Sequence, residues 1–292
     1  MKIIDTSDKL LSAFSQDGFD IEKWKAYMDA FVPGAKELCL RDAQETIDAG
    51  YSWEECFLPI LDAVRNSGEK RTRAVRSFHE VTADLDARLL SVFGRSVEAD
   101  LVLYLGLGNG AGWVTEVNGR RTVLFGIEKI IELDWCDPEK MRGLVWHELG
   151  HVYHQEHGVF CTEFPQSRDE FIWQLFEEGI AVAFEQELAG DPDHFHEDYP
   201  GWQEWCGEHL ADIAAGFAAD LDGMTPENQR FFGDWVRFEG QPDTGYYLGA
   251  RFIRRLMASD SFDRIIRYGL PEIKRKMKAY FAQLCPIGTD ID

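Results

Sequence analysis

The chain has 292 residues, 45% of them apolar, and its 52 acidic against 30 basic side chains leave a formal net charge of −22. There is ample material for a core, as one large domain or two modest ones, and no apolar run approaches the ~18 residues of a membrane-spanning helix. The acidity argues against nucleic acid, whose phosphates demand a basic face; it either steers cationic substrates or simply keeps the protein soluble. Met1-Lys2-Ile3-Ile4-Asp5 lacks the apolar core of a signal peptide, so the expected location is the cytoplasm. Six cysteines, scattered from Cys39 to Cys285 without a Cys-x-x-Cys pair, read as reduced and mostly buried.

Residues 1–95 read as helical. Asp20 and Glu22 open one helix, which Pro33-Gly34 interrupts. Ser52-Trp53-Glu54-Glu55 forms a capping box leading into Phe57, Leu58, Ile60, Leu61 and Val64. A longer helix is expected from Glu69 to Phe93, with Val75, Phe78, Val81, Leu85, Leu89 and Val92 on one stripe. His79 lies beside that stripe and is read as structural.

After Gly94 the pattern changes to strands at 101–105, 113–117 and 121–125, the last two joined by the hairpin signal Asn118-Gly119. The loop Gly106-Leu107-Gly108-Asn109-Gly110-Ala111-Gly112 is not a phosphate cradle, because a strand follows it where such a site needs a helix N-terminus. It reads as a glycine-rich hairpin loop, open to close approach by a substrate backbone.

The next stretch, Trp146-His147-Glu148-Leu149-Gly150-His151, carries the chemistry. Histidines at i and i+4 on a helix lie about 40° apart round the axis and ~6 Å along it. Both imidazoles then reach one tetrahedral Zn²⁺, and the intervening Glu148 is placed to take a proton from a water molecule. The setting is helical: Asp137-Pro138-Glu139 is a start signal, Leu144, Val145, Leu149 and Val152 recur at helical spacing, and Gly158 ends the run. A second helix is expected from about Phe171 to Leu188, closed by Gly190-Asp191-Pro192-Asp193. Further helices are expected at 202–221, 226–238, 246–257 and 271–284.

A catalytic zinc site needs a third protein ligand and a fourth position left to water. Either Glu177 or Glu178 can face inward on the second helix. Gly179 favours Glu178, because a residue without a side chain lets two helices pack close enough for the carboxylate to reach the metal. A rival is His157, which completes H-E-x-x-H-x-x-G-x-x-H only if the helix breaks where His154 stands in place of the required glycine. His154 and His157 then read as a cationic helix end favoured by the dipole.

The run Glu178-Gly179-Ile180-Ala181, with Glu185 seven residues after Glu178, resembles the E-G-x-A helix of the gluzincin zinc peptidases. The resemblance is closest to a cytosolic branch of zinc-dependent proteases. It spans about residues 147–185, extends to Tyr246, and has no counterpart in residues 1–95. It implies His147, His151 and Glu178 as ligands of one Zn²⁺ per chain, and Glu148 as general base. It further implies Tyr246, which precedes Gly249 by three residues, as oxyanion donor; Tyr246 and Tyr247 also read simply as packing residues. The implied substrate is a peptide or protein. The alternative is a catalytically silent zincin-fold module that sequesters a protein partner, although such a module has no need of Glu148.

The expected fold is α+β and zincin-like: mostly helical, with a small antiparallel or mixed sheet packed against the H-E-x-x-H helix. Helical segments at 1–95 and 191–292 flank a catalytic core at 96–190, in one compact unit.

Overall fold

The computed structural model describes residues 1–196, 199–233 and 235–285. It is mostly helical with one mixed four-stranded sheet, an α+β architecture. Two compact units divide the chain, Met1–Val152 and Tyr153–Asp292, with the boundary inside the helix that carries the two histidines.

The first unit opens with β1 (Lys2–Asp5), followed by α1 (Ile21–Phe31), α2 (Lys36–Asp48), α3 (Leu58–Asn66), α4 (Gly68–Thr82) and α5 (Leu85–Phe93). The cap signals act as expected: Asp20 accepts from the N–H groups of Glu22 and Lys23, and Ser52 Oγ accepts from Glu55 N–H at 3.2 Å. The helix expected over 69–93 is instead two. The backbone leaves helical geometry at Asp84, but the apolar stripe runs on across the joint, so periodicity does not register the break. His79 is structural, its Nε2 2.6 Å from Asp5 Oδ2.

The sheet adds β2 (Asp100–Tyr104), β3 (Trp113–Val117) and β4 (Arg120–Gly126) in the order β1-β2-β4-β3. β2 runs parallel to both neighbours and is buried at every position, as its unbroken apolar run requires. β3 pairs antiparallel with β4 through the Asn118-Gly119 turn, whose φ angles of 53° and 74° match the right-handed twist of the strands. β1 lies in a stretch whose sequence reads as helical; it has only four residues, and its partner lies far along the chain. After β4 come α6 (Ile127–Glu132) and α7 (Pro138–His157).

The second unit contains α8 (Ser167–Ala189), which starts a turn earlier than expected and stops at Gly190, φ 70°. The helix expected over 202–221 is divided at His209 into α9 (Trp202–Glu208) and α10 (Leu210–Asp220). No helix forms over the described part of 226–238; residue 234 lies outside the described residues. Gln229 Oε1 accepts from the N–H groups of Phe231 and Phe232, and Asp243 Oδ1 accepts from Gly233 N–H. Side chains thus take the backbone donors that a helix would use. α11 (Thr244–Met257), α12 (Phe262–Ile265) and α13 (Leu270–Leu284) complete the unit.

Gly179 does mediate a close helix approach, and its partner is α11. A β-carbon there would stand 2.4 Å from the carbonyl oxygen of Gly249, and one on Gly249 would stand 2.5 Å from that of Leu175. No described helix is long and apolar enough to cross a membrane.

Candidate metal centre

α7 spans Pro138 to His157, the extent its start and stop residues predict. The carbonyl of Asp137 accepts the first helical bond, from Met141 N–H, and the helix ends before Gly158. His147 and Glu148 are 5% and 7% exposed, and His151 is half-buried. The two imidazoles meet edge to face, with their Nε2 atoms 3.2 Å apart. Two nitrogens each ~2.0–2.1 Å from one tetrahedral ion stand about 3.3 Å apart, so this pair is already spaced as two zinc ligands.

Glu148 has a close neighbour that sequence spacing does not reveal. The glycine-rich loop ends against it: a β-carbon on Gly112 would lie 2.6 Å from Glu148 Cγ. The loop is in turn tied to Glu128, at the start of α6. Glu128 Oε2 accepts from Gly106 N–H at 2.9 Å and Oε1 from Gly108 N–H at 3.1 Å. Glu128 is fully buried, and desolvation pushes its carboxyl up to about 7 despite these bonds. The signal for this device, a lone glutamate in the first turn of a short helix, is too weak to find in a sequence.

α7 runs without a break through His154 to His157. His157 therefore lies ten residues beyond His147 on one continuous helix, and the turn that the rival ligand set needs is absent. His154 is not a solvated cationic end. It is fully buried, stacked on Trp173 at 5.7 Å with Phe176 edge-on, so it packs as an aromatic ring.

Within the second unit, three of the carboxylates on α8, Glu177, Glu178 and Glu185, have different surroundings. Glu177 Oε2 accepts from the Trp173 indole at 3.1 Å. Glu185 is fully buried between two imidazoles, Oε2 being 2.8 Å from His196 Nδ1 and Oε1 2.9 Å from His194 Nε2. Glu178 is half-buried and lines a cavity of about 510 Å³ together with Tyr246. The two tyrosines separate cleanly. Tyr247 is buried against Phe195 and Trp202 beneath the Arg251 guanidinium, a packing role, whereas Tyr246 is half-buried and faces the cavity.

Compared with known proteins, the chain matches no family model, no curated protein and no solved structure.

Proposed function

We propose that the protein is a zinc-dependent peptidase of zincin-like fold, with His147, His151 and Glu178 as metal ligands. The observation that carries this reading is the 3.2 Å convergence of the His147 and His151 Nε2 atoms, with Glu148 held beside them on the same helix. Two imidazoles and a carboxylate are the donor set of a catalytic zinc, one position being left for water. Glu178 is preferred as the third ligand because it opens the Glu178-Gly179-Ile180-Ala181 run that resembles the ligand helix of the gluzincin peptidases.

Zinc, when bound, lowers the pKa of a coordinated water and polarises the scissile carbonyl. The chain's own residues do the rest. Glu148 accepts the proton of the attacking water and delivers it to the leaving amine, acting first as base and then as acid. The Tyr246 hydroxyl donates to the oxygen on which negative charge develops. The buried surroundings of His147 and Glu148 strengthen these interactions relative to water.

The test is Glu148→Gln, which keeps the side chain's shape and removes the base. Zinc content should persist at about one per chain while peptide hydrolysis falls ~10²–10⁴-fold. A wild-type protein that holds zinc but cleaves nothing across a broad peptide library favours the sequestering module instead.

A further inference from the structure

The cavity that holds Glu178 and Tyr246 has a lining that bond cleavage alone does not require. Its volume of about 510 Å³ lies within the ~300–1,000 Å³ of small-ligand sites. Among the described residues, three carboxylates, Glu170, Glu177 and Glu178, line it, and no lysine, arginine or histidine does. Two arginines close to the lining residues in sequence are paired with aspartates: Arg168 with Asp222 at 2.8 Å and Arg230 with Asp220 at 2.7 Å.

The rest of the wall is aromatic. Trp173 is buried and its ring is anchored by the indole bond to Glu177, Phe232 packs edge-on to Tyr246, and Trp235 stands 66% exposed. Indole faces attract cations more strongly than other rings. Carboxylates and aromatic rings lining one cavity make a receptor for a planar, delocalised cation.

We propose that this cavity is a specificity pocket for the basic side chain of the peptide, arginine ahead of lysine. The inference rests on the peptidase reading for the identity of the ligand, and on the cavity's own lining for its charge. Arginine is favoured because its guanidinium both stacks on indole and meets a carboxylate through two parallel N–H groups, whereas an ammonium does so only as a point charge. With Glu178 committed to the metal, Glu170 and Glu177 hold the cation and Trp235 covers it.

Binding is measured on the zinc-loaded Glu148→Gln protein by tryptophan fluorescence, with blocked peptides that differ only in arginine, lysine, citrulline or leucine. Arginine should bind on the order of 10–100-fold more tightly than its neutral isostere citrulline, with lysine between them. Glu170→Gln and Trp235→Ala should each reduce that preference several-fold without loss of zinc. Glu204→Gln, at an exposed glutamate that does not line the cavity, should leave it unchanged, which separates the pocket from general attraction to an acidic protein. Equal binding of arginine and citrulline peptides overturns the pocket assignment, and so does a preference blind to Glu170 and Trp235. Preferential binding without hydrolysis by the wild type instead overturns the peptidase reading and leaves the pocket's preference standing.

Discussion

Glu148 occupies the space that a side chain on Gly112 would need: a β-carbon there would approach Glu148 Cγ to 2.6 Å and Oε1 to 2.8 Å. The glycine loop and the motif helix thus meet at the proposed general base, and the carboxylate's position depends on a residue far from it in sequence. Gly112→Ala should push Glu148 out of place by a fraction of an ångström or more. Hydrolysis should then fall ~10²-fold with zinc content unchanged. Full activity in that variant would show that Glu148 is not the base, or that its position is not set by the loop.

The third ligand is separable by metal analysis. Glu178→Ala should weaken zinc retention severely, as should His147→Ala and His151→Ala, whereas Glu177→Gln and His157→Ala should retain the metal. Loss of zinc in the His157 variant, with retention in the Glu178 variant, would replace the gluzincin-type ligand set by one drawn from α7 alone.

Glu128 predicts a pH dependence of stability. Its carboxyl titrates at about 7 in the folded protein, above its ordinary value of 4.5. Between those values the unfolded chain has released a proton that the folded protein still holds, so stability falls as pH rises from about 4.5 to 7. At ~1.4 kcal/mol per unit, the loss is on the order of 3 kcal/mol. Glu128→Gln should flatten that slope in denaturant titrations across this range. An unchanged slope would assign it to other groups.

Gly179→Ala tests the contact between α8 and α11. The added carbon meets backbone, the Gly249 carbonyl at 2.4 Å, which a side-chain rotation cannot relieve. Overpacking of this kind costs about 1–3 kcal/mol, more than the ~1 kcal/mol that alanine gains over glycine in a helix. A net loss of up to about 2 kcal/mol is expected in chemical denaturation; a stabilised variant would mean that the helices part freely.

Local signals were legible in the sequence wherever one residue's chemistry decides a boundary. Asp20, Ser52 and Gly190 mark helix ends, Asn118-Gly119 turns the hairpin, and Pro138 with Gly158 brackets α7. What stayed hidden depends on partners far along the chain. β1 exists because β2 offers it an edge, and the 226–238 segment loses its helix to bonds made by Gln229 and Asp243. The site divides in the same way. His147, Glu148 and His151 are read from their spacing, but Gly112, Glu128 and the tryptophans of the pocket emerge only from the folded chain.

The parallel pairing of β1 with β2, Lys2 opposite Asp100, bears on how the protein is made. On a ribosome adding ~5–20 residues per second, β1 emerges roughly 5–20 s before the strand it must join. β4, which flanks β2 on its other side, comes later still. During that interval the helices of residues 21–93 form from local contacts, while β1 waits as an unpaired strand. Its sequence suits the wait: Lys2 and Asp5 bracket only two isoleucines, a segment too short and too charged to recruit another nascent chain edge to edge. The sheet of the first unit is therefore completed only after β2 and β4 have been made, and slowing translation before Asp100 should delay its completion.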